Sequence, residues 1–186
     1  MIKVLGHRGA RVYEPENTLR SFKKAIELGV DQIELDLHFS RDGQLMVIHD
    51  DKLNRTTNGK GFIKDFTLDE LKNLDAGKGE KIPVLQEVID LVKDTDIFLQ
   101  IELKELNMGK PVLEVIQKNN FEEKVMIISF LHEELRSIKE LNSKIKTGIL
   151  TNQELIDPLK RLRKTKADAV SMRYTLVNKK LVENLH

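Results

Sequence analysis

Asp31-Gln32-Ile33-Glu34-Leu35-Asp36 alternates apolar and polar side chains and ends on two carboxylates two positions apart. On a β-strand, alternate side chains share a face, so Glu34 and Asp36 project together about 6.6 to 7 Å apart along the backbone. Three other apolar runs end in a similar way. Ile2-Lys3-Val4-Leu5-Gly6 stops at His7-Arg8-Gly9, Leu45-Met46-Val47-Ile48 at His49-Asp50, and Ile97-Phe98-Leu99-Gln100-Ile101 at Glu102-Leu103-Lys104. In a barrel or an open sheet of parallel strands, the C-terminal strand ends gather on one face, where such folds keep their active sites. The pattern predicts that two histidines and three carboxylates converge.

Segments of helical periodicity separate these runs. Asn17 or Thr18 is placed to cap a helix carrying Leu19, Phe22, Ala25 and Ile26 that stops at Gly29. Short helices are expected at Asp69 to Leu74 and, after Pro83, at Leu85 to Val92. The alternation continues with a helix near Val112 to Lys118, a strand Val125 to Ser129, a helix His132 to Leu141 and a strand Thr147 to Leu150. A helix from Gln153 to Arg163, a strand Ala169 to Met172 and a helix from Val177 onward complete it. Strands alternating with helices indicate a parallel-stranded α/β fold. Asp36 and His49 are too close in sequence for a helical crossover, and Asp42-Gly43 between them is a turn signal. The expected path is a short return from Leu37 to Arg41, a turn, and a second rising strand to His49. The stretch from Asp51 to Asp96, with Thr56, Thr57, Asn58 and several glycines, reads as an insertion or lid over the strand ends.

Composition bounds the partners. A chain of 186 residues, 40% hydrophobic, suits one compact domain. Its 31 basic and 30 acidic residues leave a net charge of +1, which offers no global field for steering toward nucleic acid or a membrane surface. Cysteine is absent, which excludes disulfides and thiolate zinc sites. No apolar run approaches the roughly 20 residues that span a bilayer, and the first run is too short for a signal peptide. The reading is a cytoplasmic, soluble protein.

Glu34, Asp36 and Glu102 form a donor set suited to a hard, oxygen-seeking cation, Mg²⁺ or Ca²⁺. His7 and His49 are candidate general base and acid, because imidazole titrates near neutral pH. Arg8 offers a planar fork and Lys104 a point charge for a phosphate or carboxylate group. A simple ion pair of Lys104 with Glu102 or Glu34 is the plainer alternative. His38 reads as a turn residue, His132 and His186 as surface. No Walker loop, dinucleotide fingerprint or nucleophile elbow is present. A divalent cation with two histidines, an arginine and a lysine suits in-line displacement at a phosphate ester by water or by a hydroxyl of the substrate.

His7-Arg8-Gly9, Pro15-Glu16-Asn17-Thr18, Glu34-Leu35-Asp36, Asp42-Gly43, His49-Asp50, Arg55-Thr56-Thr57 with Gly59, and Glu102-Leu103-Lys104 together resemble the glycerophosphodiester phosphodiesterases. The motifs are strong to about residue 110; Ile128-Ser129-Phe130 and the later strands resemble the family more weakly. The resemblance implies a TIM (β/α)8-type barrel related to the phosphatidylinositol-specific phospholipases C, with a small insertion between strands 3 and 4. It implies hydrolysis of substrates such as glycerophosphocholine or glycerophosphoethanolamine to sn-glycerol 3-phosphate and an alcohol, through a cyclic phosphate. Glu34, Asp36 and Glu102 would bind the metal, His7 and His49 would be base and acid, and Arg8 and Lys104 would hold the phosphate. Glu16 would support this network, and Asn17 would anchor the first helix.

Relatives continue past the segment resembling Leu181 to His186 into a Trp-containing strand. This chain has no Trp and is expected to lack the final barrel strand and helix, leaving apolar edges open. Two further readings follow from that expectation. One is an impaired barrel that still binds metal and phosphate; the other is an interaction module whose open edge docks a partner, including a second copy of the chain.

Overall fold

The computed structural model describes residues 2–152 and 158–185. The elements, in chain order, are β1 (Leu5–His7), α1 (Leu19–Glu27), β2 (Gln32–Phe39), β3 (Leu45–Val47), α2 (Leu68–Lys72), α3 (Leu85–Val92) and β4 (Phe98–Leu103). They continue with α4 (Gly109–Lys118), β5 (Val125–Ser129), α5 (His132–Leu141), β6 (Lys146–Thr151), α6 (Pro158–Thr165), β7 (Ala169–Met172) and α7 (Lys179–Leu185). The start of the helix expected from Gln153, and His186, lie outside the described residues.

Among the described residues, six parallel strands run in the order β1-β2-β4-β5-β6-β7, and β3 pairs only with β2. This is the open α/β barrel expected. Pairing is in register across the sheet: His7 faces Glu34, Asp36 faces Glu102, and Glu102 faces Ile128. Strand alternation then divides the barrel. Ile33, Leu35 and Leu37 of β2 and Leu99, Ile101 and Leu103 of β4 point outward into the main core, packed with Phe22 and Ala25 of α1, Val88 and Ile89 of α3, and Val112 and Ile116 of α4. Glu34, Asp36 and Glu102 occupy the opposite face. One face supplies the hydrophobic stabilisation and the other carries the polar groups.

The Asp36–His49 connection differs from the expected path. β2 does not end at Asp36 but runs on to Phe39, and β3 returns antiparallel, with Leu37 opposite Val47 and Phe39 opposite Leu45. No second rising strand exists there. The descending β3 delivers His49 beside the carboxylates, with the Ile48 N–H donating to the Asp36 carbonyl at 3.0 Å. His38 is correspondingly a buried residue of β2 rather than of the turn.

β3 is also the wall shared by two cores. Leu45 and Val47 join the main core, whereas Met46 and Ile48 join a second cluster with Leu53, Ile63, Leu71, Ala76 and Ile82. The inserted segment thus carries its own small core, while α3 packs into the barrel. Thr67 caps α2 reciprocally with Glu70, which satisfies N-terminal N–H groups of this short helix. No helix among the described residues is long and apolar enough to cross a membrane.

Ile101 is fully buried between Leu35 of β2 and Ile127 of β5. Ile101→Ala is expected to destabilise the chain by about 2–5 kcal/mol in urea unfolding. The exposed Lys144→Ala should stay within about 0.5 kcal/mol of the parent.

Candidate active site

The site begins at the end of β1. Arg8 adopts a left-handed backbone conformation (φ 59°), and Gly9 follows at φ 77°. A Cβ on Gly9 would lie 2.5 Å from Ser21 Oγ and 2.8 Å from the Ser21 carbonyl carbon, so only glycine lets this turn rest on α1. The Ser21 hydroxyl and the Asn17 N–H both donate to the Arg8 carbonyl, at 3.1 Å each. The Arg8 N–H donates to Glu34, to its carbonyl and to Oε2, both at 3.0 Å. The turn is therefore fixed against β2 before its side chains are considered.

β2 and β4 then bring three carboxylates together. Glu34, Asp36 and Glu102 are all buried and each offers an oxygen within 4.8 Å of the others. That span is about twice a Ca²⁺–oxygen distance, and a Mg²⁺ ion would draw the oxygens a few tenths of an ångström closer. Asp36 is 0% exposed; Asn17 Nδ2 donates to its Oδ2 at 2.9 Å, and Arg8 Nε stands 3.4 Å from the same oxygen. Lys104 Nζ lies 2.9 Å from Asp36 Oδ1 and 2.6 Å from Glu102 Oε1. Asp36 Oδ1, ion-paired to Lys104, and Arg8 Nε are both buried side-chain atoms that take part in no hydrogen bond. A buried carboxylate oxygen that accepts no hydrogen bond, within an all-oxygen donor set, fits a hard divalent cation.

Electrostatics agree with that fit. Burial, reinforced by the charge of Asp36, pushes the Glu34 carboxyl up to about 8. Burial also raises Glu102 against the pull of Lys104. Asp36 is buried too, but Lys104 and the Asn17 amide outweigh that penalty and leave it below the ordinary carboxylate range. Three such groups repel one another until a proton or a cation intervenes.

Two histidines flank the cluster. His7 Nε2 is 3.7 Å from Glu34 Oε2, and burial together with Arg8 and Arg11 lowers its proton affinity. His49 Nδ1 meets Asp50 Oδ1 at 2.6 Å, and its carbonyl is met by His38 Nε2 at 3.1 Å. His38 Nδ1 in turn contacts Glu105 Oε1 at 2.7 Å. Glu16 accepts from Arg8 Nη1 at 3.0 Å and from Arg55 Nη1 and Nη2 at 2.8 Å each. A cavity of about 10 Å³, the size of one water, lies behind them, lined by Glu16, Asn17, His49 and Thr56.

His7, Arg8, Glu16, Asn17, Glu34, Asp36, His49, Glu102 and Lys104 thus form one cluster. Asn17 faces Asp36 rather than anchoring α1; the cap is Thr18, whose hydroxyl accepts from the Ser21 N–H. His132 is half-buried, with Nε2 against the Leu150 carbonyl at 3.1 Å, and is not a free surface residue. Sequence reasoning missed Asp50, Arg55 and the His38–Glu105 pair as parts of this network. Alternation alone places His38 two residues beyond Asp36 on the same face.

The metal-free protein holds Glu34 protonated over a wide range. The folded carboxyl sits near 8 against an ordinary 4.5, so this stabilisation is full below about 4.5 and is lost as pH rises through 8. A cation must displace that proton. Added Mg²⁺ or Ca²⁺ should raise Tm more at pH 8 than at pH 5.5, measured by thermal shift against chelator; an equal shift at both would contradict the assignment.

The chain and its fold have counterparts among known proteins. A family model described as the glycerophosphoryl diester phosphodiesterase family matches residues 7–186. A glycerophosphodiester phosphodiesterase from Caldanaerobacter subterraneus subsp. tengcongensis is 42% identical over 192 residues, covering 97% of this chain and 79% of that relative. A second, from Bacillus altitudinis, is 37% identical across 100% of this chain and 82% of its own length. Among solved structures, a phosphodiesterase from Oleispira antarctica in complex with the product sn-glycerol-3-phosphate matches with a TM-score of 0.92 at 29% identity, covering 100% of this chain and 80% of that one.

Proposed function

The chain belongs to the glycerophosphoryl diester phosphodiesterase family, and from that premise we propose that it hydrolyses glycerophosphodiesters to sn-glycerol 3-phosphate and an alcohol at the cluster above. The observation that carries the reading is the meeting of three buried carboxylates with two histidines at one end of the barrel. Glu34, Asp36 and Glu102 would hold one divalent cation. When bound, the cation supplies neutralisation of charge developing on the phosphoryl oxygens and polarisation of the phosphorus–oxygen bonds.

The chain's own groups supply the proton transfers and the orientation. Arg8 and Lys104 hold the phosphate with their cationic groups. His7 accepts the proton of the neighbouring glycerol hydroxyl as its oxygen bonds to phosphorus. The bond to the departing alcohol breaks as His49 gives that oxygen a proton, leaving a cyclic phosphate. Asp50 occupies Nδ1 of His49, which leaves Nε2 as the nitrogen that transfers the proton. Water then opens the ring: His49 takes its proton and His7 returns one to the glycerol oxygen. An attacking hydroxyl within the substrate replaces a bimolecular encounter by an intramolecular one, the main advantage of this route.

A second reading is favoured by exposed Ile2 (93%), Val4 (57%) and Leu5 (40%) at the β1 edge. In it, another polypeptide surface, including a second copy of the chain, covers that edge in the working assembly. Full turnover by a species that sediments as a monomer would dismiss it.

Release of sn-glycerol 3-phosphate from glycerophosphocholine and glycerophosphoethanolamine tests the main reading, with Mg²⁺, with Ca²⁺ and with chelator. His49→Ala is expected to lower kcat by about 10²-fold or more while cation affinity stays near that of the parent. Glu102→Ala should weaken cation binding instead. A His49→Ala enzyme at the parent rate would contradict the acid–base assignment.

A further inference from the structure

Arg55 belongs to the inserted segment, yet its guanidinium hydrogen-bonds to two carboxylates of the site. Its Nε and Nη2 donate to Asp50 Oδ2 and Oδ1 at 2.7 and 2.9 Å. Its Nη1 and Nη2 donate to Glu16 Oε2 and Oε1 at 2.8 Å each. Two of the accepting oxygens have a second task. Asp50 Oδ1 also meets His49 Nδ1, and Glu16 Oε1 also accepts from Arg8 Nη1. Arg55 Nη2 bonds to both of these shared oxygens.

We propose that Arg55 is a positioning residue for the hydrolysis: one guanidinium sets the His49 ring through Asp50 and the Arg8 fork through Glu16. The inference rests on the reading given under Proposed function for what His49 and Arg8 do. A solvent-facing ion pair usually contributes little, because two flexible side chains must be ordered for one contact. Here one planar fork meets two carboxylates, each with both of its oxygens, a geometry that a lysine ammonium cannot reproduce. Side-chain hydrogen bonding to Arg55 is also the largest influence holding Asp50 and Glu16 below the ordinary carboxylate range, which keeps both as acceptors for His49 and Arg8. The segment's own core, with Leu53 close by in sequence, supplies the rigid base from which Arg55 reaches back.

The test uses the full chain with Arg55→Ala and Arg55→Lys, compared by steady-state kinetics, by cation titration and by ¹⁵N-imidazole NMR of His49. Arg55→Ala is expected to lower kcat about 10- to 100-fold, the range seen when outer partners of a site are removed. Cation affinity should remain within about threefold of the parent, and the protected Nδ1–H signal of His49 should be lost. Arg55→Lys should recover less than a tenth of the lost rate, whereas added guanidinium ion should partly restore Arg55→Ala. The proposal is overturned if Arg55→Ala keeps kcat within twofold with the His49 signal intact, or if Arg55→Lys restores the parent rate. If the unmodified chain releases no sn-glycerol 3-phosphate, the reading of the site fails. The His49 signal still decides separately whether Arg55 orients the ring: its persistence in Arg55→Ala overturns the proposal, and its loss supports it.

Discussion

Pairing of Asp36 with Glu102 across β2 and β4 is the constraint on which the site depends. Both are buried, and both point away from the face where Leu35, Leu37, Ile101 and Leu103 pack against the helices. A one-residue slip between the strands would turn one set of carboxylates into the apolar core, so the hydrophobic pattern that stabilises the barrel also fixes the acid cluster. Repulsion among three buried carboxylates is tolerated because Lys104 stands between Asp36 and Glu102 while the Arg8 backbone and the Asn17 amide donate to Glu34 and Asp36. A divalent cation would satisfy what these partners leave unmet.

The inserted segment shapes the site from the other side. β3 presents alternate residues to two cores, so the barrel and the insertion share one strand, and His49 follows directly from it. The His49 backbone is held by His38 and its ring by Asp50, itself held by Arg55. Contacts from β2, from the β3 end and, through Asp50, from the insertion thus converge on one residue. Glu16 joins the same network to Arg8, which links the His49 side of the site to the Arg8 side.

Much of this was legible in the sequence, for a physical reason. Period-two alternation in Gln32 to Asp36 and the strand–helix alternation after Lys104 encode both the fold class and the face on which Glu34, Asp36 and Glu102 lie. Val125 to Ser129, His132 to Leu141 and Ala169 to Met172 form the elements their patterns predict. The run Leu45 to Ile48 also reads as a strand, but an apolar run carries no direction. Nothing local tells a descending β3 from a rising one, and Asp42-Gly43 serves either path. Ending β2 at Asp36 and reading Leu37 to Arg41 as a return removed His38 from the strand. Asn17 and Thr18 are both good caps, and only the long-range bond to Asp36 assigns Asn17 elsewhere. Arg55 is separated from Glu16 by 39 positions, a contact that no local pattern specifies.

The proposed chemistry requires that the β2–β4 carboxylates form a single cation site. Titration with Mn²⁺ followed by electron paramagnetic resonance tests it most directly. One Mn²⁺ per chain, displaced by Mg²⁺ or Ca²⁺ and lost in Asp36→Asn, is the predicted result. Binding that Asp36→Asn leaves unchanged, or no binding by folded protein, would contradict it.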